Sequence, residues 1–450
     1  MSTTKLTLTA QVVIAMLLGI TVGLLINVSG LNAAGGFVNE YIVNGLFKAV
    51  GTLFVNALKM LVVPLVLFSL ICGVCGIGNL NTLGRVGAKS FVLYLLTTAI
   101  AVATAVIFGV TAGIGQGMQA STASTFTGKE APPLLDVFTN IIPTNPIAAM
   151  ANGEMLQVIF FAILAGVSIL MVGKKAKPLV EGAELANEVM MKMVNIVMAA
   201  APYAVFALIA KAMAELGFEL LSVLVGYVLV LIAALVFHLF GTMMLLLKLL
   251  SGLNPLRFIS KMRNVQVFAF STASSNATIP VTLRTVTERL GVNNSVASFT
   301  VPLGATINMD GTAIMQGVAT VFIAHVYGVD LSISDYLVVI AMAVLASIGT
   351  AGVPGVGLIM LSMVFVQVGL PVEGIGLILG VDRLLDMMRT AVNVSGDAVV
   401  SVIVAKSEGK LDTSVYNDPT AGVTTGDIVL DETAERELAA TVASTHSRKD

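Results

Sequence analysis

Tryptophan is absent from the 450 residues, histidine occurs three times and cysteine twice, and Asp, Glu, Lys and Arg make up only 11% of the chain. Soluble domains carry about 25% charged residues, so this scarcity argues against an ordinary water-soluble enzyme. A formal net charge of −2 offers no basic surface for nucleic acid. Cys72 and Cys75 form a C-x-x-C inside an apolar run with no second pair and no nearby His. Small-residue helix packing is therefore expected of them, not zinc or redox chemistry. No Ser/His/Asp or metal-ligand set has a spacing that suggests catalysis, and the chain reads as a non-enzyme. What the sequence does have is apolar: 57% hydrophobic residues and 42 glycines.

A bilayer core about 30 Å thick needs about 20 apolar residues of helix. Runs of that kind lie near residues 8–28, 41–74, 86–117, 154–173, 190–216, 220–247, 295–327 and 371–404. No A-x-A-like site follows the first run, which favours a retained span over a cleaved signal. Lys5, Arg85, Lys89, the cluster Lys174, Lys175 and Lys177, then Lys248, Arg257, Lys261 and Arg263 fall on one face, which the positive-inside rule makes cytoplasmic. Two stretches do not cross simply. The one near 255–290 has basic residues at both ends; the one near 334–370 has no Lys or Arg and is split by Ser347-Ile-Gly-Thr-Ala-Gly-Val-Pro-Gly-Val-Gly357. Both read as re-entrant hairpins, since irregular backbone at membrane depth must be buried in protein or line a cavity. The expected fold is an all-α polytopic membrane protein, with eight transmembrane helices, two re-entrant helical hairpins and both termini cytoplasmic.

Ionisable groups deep in a span cost about 2.5 to 3.5 kcal/mol or more each and mark candidate sites. In the last span Asp382, Asp386, Arg389, Thr390, Asn393 and Asp397 fall within an arc of roughly 100° at about 100° per residue. Arg383 lies off that stripe and is expected to snorkel to the headgroups. An ion-pair ladder, for instance Asp386 with Arg389, is one reading; bound cations would better explain three acids against one base. Asn308-Met-Asp-Gly-Thr312 spaces its polar residues at i, i+2 and i+4, which suggests an unwound segment exposing hard oxygen ligands.

These runs, with Asp386-Met-Met-Arg-Thr-Ala-Val-Asn-Val-Ser-Gly-Asp397 and Leu58-Lys-Met-Leu-Val-Val-Pro-Leu-Val66, closely resemble the dicarboxylate/amino acid:cation symporter family over roughly residues 8 to 408. Inverted repeats, a homotrimer in membrane lipid and an elevator-type mechanism are implied by the resemblance. So is a division into scaffold (1–85 and 118–219) and transport domain (86–117 and 220–408). Arg389 would bind the side-chain carboxylate of an acidic amino acid and Asp386 its amino group. Asn393 and Ser275 would bind the main-chain carboxylate, with Ser274, Thr312, Thr390 and the tip residues Val353 and Gly357 closing round it. Three Na+ sites are implied: Asp397, Asn308, Asn393 and the Gly304 carbonyl; Thr306, Met309 and the backbone of Ser347, Ile348 and Thr350; and Tyr94, Thr97, Thr98, Asn308 and Asp310.

Ala273 and Met387 stand where relatives carry an auxiliary Arg, and Gln316 where animal members carry a Glu used in proton and potassium coupling. His238 and His325 have no evident carboxylate partner in sequence, and packed or interfacial roles are expected. Lys48 and Lys59 are expected to snorkel or face a partner subunit. The tail 409–450 lacks periodicity and is expected to be a disordered cytoplasmic extension. The overall reading is a sodium-coupled glutamate or aspartate symporter of a bacterial inner membrane. Proton-coupled glutamate transport, C4-dicarboxylate transport and a passive pore stand as alternatives.

Overall fold

The computed structural model describes residues 8–76, 85–116, 142–348, 352 and 354–422. These are helical almost throughout, and the only β feature among them is an isolated bridge between Val292 and Leu411. Helix α1 is Leu8–Val28; α2, Lys48–Gly76, continues a π-helical stretch Val38–Phe47; α3 is Arg85–Ala112. Next come α4 (Met155–Val172), α5 (Lys177–Ala199) and α6 (Ala201–Leu216). Helix α7 (Phe218–Val236) runs through a π-helical stretch, Phe237–Thr242, into α8 (Met243–Ser251). The remainder are α9 (Pro255–Thr272), α10 (Ser275–Arg284), α11 (Asn294–Ile307), α12 (Asp310–Val326), α13 (Ile333–Ser347), α14 (Val356–Gln367), α15 (Ile375–Ser407) and α16 (Thr413–Asn417).

Among the described residues six helical stretches are long and apolar enough to cross a bilayer: Ala10–Val28, Val38–Cys72, Arg85–Ala112, Gln157–Ala199, Ser222–Ser251 and Val372–Ser407. The expected span at 190–216 starts earlier, at Lys177, and breaks near Ala200. Helix α5 buries Ala183, Met190 and Val194 while exposing Glu181 and Glu188, so a search for apolar runs cuts it short. The stretch at 295–327 is two helices rather than one. Helices α13 and α14, of 15 and 12 residues, fall short of a bilayer core at about 1.5 Å per residue.

Local chemistry sets the ends. Asn254 accepts from the Leu256 amide at 3.0 Å and Pro255 opens α9. Ser332 and Asp335 form a reciprocal capping box at the start of α13, with Ser332 N donating to Asp335 Oδ2 at 2.6 Å. Packing then sorts the helices: α1 lies along α6, α2 against α4 and α5, and α3 against α12 and α13, while α15 touches α8, α9, α11 and α12. The most enclosed crossing segment is the last, 83% buried in its apolar window, against 22% for the first. Cys75 Sγ lies 3.8 Å from the Gly166 carbonyl and both thiols are free, as helix packing requires.

The chain after α15 begins as a strap. Tyr416 is fully buried, donates to the Asn254 carbonyl at 3.0 Å and lies under the Lys261 ammonium, 5.9 Å from its ring centroid. Lys261 also donates to the carbonyls of Arg289 (2.6 Å) and Val415 (2.7 Å), tying the strap to the α9–α10 pair. Residues 409–422, expected to belong to a disordered extension, are instead held in place by a buried aromatic in α16; residues 423–450 lie outside the described residues. Lys59 reaches Glu373 at 3.1 Å instead of simply snorkelling.

Candidate transport site

Two irregular tips meet. Helix α9 ends at Ala273, whose φ of 49° is left-handed, and α10 starts under the Ser274 cap, whose hydroxyl accepts from the Ala277 amide at 3.2 Å. That hydroxyl donates to the Gly352 carbonyl at 2.7 Å, and the Asn276 amide donates to the same oxygen at 3.2 Å. The approach leaves no room for a side chain: a Cβ on Gly352 would lie 3.0 Å from the Ala305 carbonyl and from Ser275 Cβ. Of the expected tip residues, Thr350 and Val353 lie outside the described residues.

Between α11 and α12 the backbone leaves helical geometry at Asn308 (φ −95°, ψ 89°) and Met309 (φ −113°, ψ 48°). Gly311 is required here because any side chain would strike the Arg389 backbone. Its N–H donates to Asn393 Oδ1 at 2.7 Å, which joins the unwound segment to α15.

Around this joint lie two clusters of acids. In the first, Arg389 is fully buried, with Nη1 donating to Asp382 Oδ1 at 2.7 Å and Nη2 to Asp386 Oδ1 at 2.8 Å. The ion-pair ladder is thus real, and Asp382, for which no partner was expected, holds half of it. Arg383 does not simply snorkel: its Nη1 lies 3.8 Å from Asp386 Oδ2, drawn inward by the acid pair. Two acids face two guanidinium groups. Asp386 Oδ2 and Arg389 Nε have no hydrogen-bond partner. Gly357 borders the cluster, since a Cβ there would lie 3.1 Å from Thr312 Cγ2 and 3.7 Å from Arg389 Nη2. Thr390 donates to the Asp386 carbonyl at 2.8 Å, so its hydroxyl is already partly committed. A cavity of about 180 Å³ opens beside Asp382, Arg383 and Asp386, walled by Asn195 and Met198 of α5 and by Pro354 and Gly355.

The second cluster has acids without Lys or Arg among the described residues. Asp310 and Asp397 are both buried; Asn308 Nδ2 donates to Asp397 Oδ1 at 2.9 Å and to the Asn393 carbonyl at 3.3 Å. Thr98 donates to Asp310 Oδ1 at 2.6 Å, and the Thr97 hydroxyl is 3.4 Å from both Asp310 Oδ1 and Asn308 Oδ1. Tyr94 donates to the Thr300 carbonyl at 2.8 Å, and a Cβ on Gly304 would strike Asp397 Oδ1. Asn393 Nδ2 lies 3.3 Å from Met309 Sδ. Two of the three expected ligand sets are therefore assembled. For the third, the Thr306 hydroxyl donates to the Leu303 carbonyl (2.8 Å), the Ser347 hydroxyl to the Val344 carbonyl (2.7 Å) and the Ile348 amide to the Leu345 carbonyl, while Thr350 lies outside the described residues. Contact near that set runs through Gly352 and Ala305.

Sequence reasoning missed His238. Its Nε2 lies 3.1 Å from Asp310 Oδ2, and both side chains are fully buried. The partner is 72 residues away, and no local pattern announces it. His325, by contrast, is packed as expected, with Nδ1 2.7 Å from the Ile114 carbonyl.

Among the described residues, helices of membrane-spanning length enclose a buried polar site at an interrupted helix, an arrangement suited to a secondary transporter. The profile of the sodium:dicarboxylate symporter family matches residues 8–407, and the chain belongs to that family. It is 33% identical over 415 residues to the proton/sodium-glutamate symport protein of Bacillus caldotenax, covering 90% of this chain and 96% of the relative. It is 34% identical over 424 residues to the proton/glutamate-aspartate symporter of Escherichia coli strain K12, covering 92% and 95%. Over 416 residues it is 32% identical to the C4-dicarboxylate transport protein of Bacillus subtilis strain 168, covering 90% and 94%.

Proposed function

We propose that this symporter takes up glutamate or aspartate with sodium across a bacterial inner membrane, as a homotrimer with cytoplasmic termini. The observation that carries the reading is the contrast in charge between the two clusters. At the first, Arg389 is already neutralised by Asp382 and Asp386. A substrate bringing a carboxylate and an ammonium can replace both interactions at once: its side-chain carboxylate takes guanidinium donors bidentately and its ammonium takes Asp386. A dicarboxylate without an amine would release Asp386 from Arg389 and leave it only the longer 3.8 Å contact with Arg383, which disfavours succinate or malate. Ser275 and Asn393 hold the main-chain carboxylate; Thr312, Thr390 and the Gly357 tip close over it.

At the second cluster, Asp310 and Asp397 with Asn308, Thr97, Thr98, Tyr94 and the Gly304 carbonyl supply hard oxygens to alkali cations. Asn393 belongs to both sets, so cation binding organises the backbone that substrate meets, and linkage makes the effect reciprocal. Contacts of α14 with α2, and of the Gly355 region with Met198, support an elevator-type movement in which α3 and α7–α15 slide against α1, α2 and α4–α6.

Uptake of labelled aspartate, glutamate, succinate and serine into proteoliposomes, under separately imposed sodium and proton gradients, tests this. Sodium-driven accumulation of aspartate or glutamate is expected. Accumulation driven by protons alone would overturn sodium coupling, and dissipation without accumulation would mean a pore.

A further inference from the structure

We propose that His238 is a positioning residue of the cation site, holding Asp310 through Nε2 so that its other carboxylate oxygen faces the bound ion. The proposal rests on the sodium-coupled reading above and extends it to a residue on an element not assigned to the site.

The geometry is specific. His238 sits in the π-helical stretch Phe237–Thr242 between α7 and α8. Such a stretch changes side-chain phase relative to a regular helix, and short π segments gather at functional sites. Here the result is a fully buried imidazole aimed at a fully buried carboxylate, 3.1 Å from Nε2 to Oδ2. A carboxylate oxygen accepts, so Nε2 is placed to donate to it, while Nδ1 has no hydrogen-bond partner among the described residues. Asp310 is thereby divided. Oδ2 is fixed by His238, while Oδ1 is reached by the hydroxyls of Thr98 and Thr97, which can rotate and turn their lone pairs toward a cation. Without the imidazole, Oδ2 would lose its donor in a dry interior, and the carboxylate would turn to recover one from the threonines or from Asn308. The oxygen meant for the ion would then be occupied.

Outer partners that orient a metal ligand are typically worth about 10- to 100-fold in metal affinity. The test is a sodium titration of labelled-aspartate binding to the purified full-length protein. His238→Met, which keeps bulk and removes the donor, should raise the sodium concentration for half-saturation about 10- to 100-fold while leaving aspartate affinity at saturating sodium within about twofold. His238→Gln, whose amide can reach Asp310, should restore most of the loss; His238→Asn, with a shorter reach, should not. In an Asp310→Asn background His238→Met should add nothing further. If Met does not fold, the Gln and Asn pair decides the matter. Sodium dependence unmoved in folded His238→Met, or Gln and Asn equally impaired, would overturn the positioning role alone. Wild-type binding independent of sodium would overturn that role together with the sodium-coupled reading.

Discussion

The two acid clusters adjoin along α15, the second completed by Asp310 of α12, and they have opposite electrostatic needs. Asp382 and Asp386 are matched by Arg383 and Arg389, whereas among the described residues Asp310 and Asp397 are met by side-chain amides, hydroxyls and an imidazole, with no Lys or Arg. Buried charge is costly unless paired. A balanced cluster can exchange internal pairs for those of a substrate, while an unbalanced one attracts the ions that balance it. A single stripe on α15 therefore supplies two kinds of chemistry, and what separates them is the guanidinium groups.

Removing Arg389 breaks the balanced cluster and has the largest expected effect. Arg389→Cys should lower acidic-substrate affinity by a factor of about 30 to several thousand, corresponding to about 2 to 5 kcal/mol for a truncated buried pair. Uptake of small neutral amino acids should survive or appear; unchanged aspartate affinity in the folded variant would remove Arg389 from the site. Asp397→Asn sharpens the contrast by halving the charge of the unbalanced cluster. Sodium affinity should fall about 10- to 100-fold, with aspartate uptake at limiting sodium recovering as sodium is raised. Calorimetry that finds the same sodium affinity as wild type would count against this cluster as a cation site.

Gly311→Ala disturbs the joint that both clusters share. Overpacking costs about 1 to 3 kcal/mol, read as a lower thermal midpoint, and substrate and sodium affinities should decline together, where the two previous variants separate them. Outside the site the comparison should vanish. Leu25, 64% exposed on α1, should tolerate Ala with less than a twofold change in uptake.

Much of this was legible. Spacing of polar residues at 308, 310 and 312 announced the break between α11 and α12, because a regular helix cannot put them on one face. Periodicity on α15 gathered Asp382, Asp386, Arg389 and Asp397, though not which acid holds which guanidinium nitrogen, and Arg383 was placed outward since phase alone ignores the pull of a nearby acid. His238 was opaque for a different reason: its contact depends on a π-helical shift that apolar composition does not encode. Tyr416 was equally silent, since the contacts that hold it, to Lys261 and the Asn254 carbonyl, lie far away in sequence.

The enclosure of α15 bears on how the chain is made. The five ionisable groups in its interior, at 382, 383, 386, 389 and 397, would cost about 12 to 18 kcal/mol in lipid at about 2.5 to 3.5 each, beyond what its apolar residues return. Membrane insertion of this segment is consequently a property of the assembled bundle. Fused alone behind a soluble leader and scored by a glycosylation reporter, α15 should fail to integrate, while α1 integrates unaided. The helix that carries the chemistry is thus expected to hold its place in the bilayer only in company.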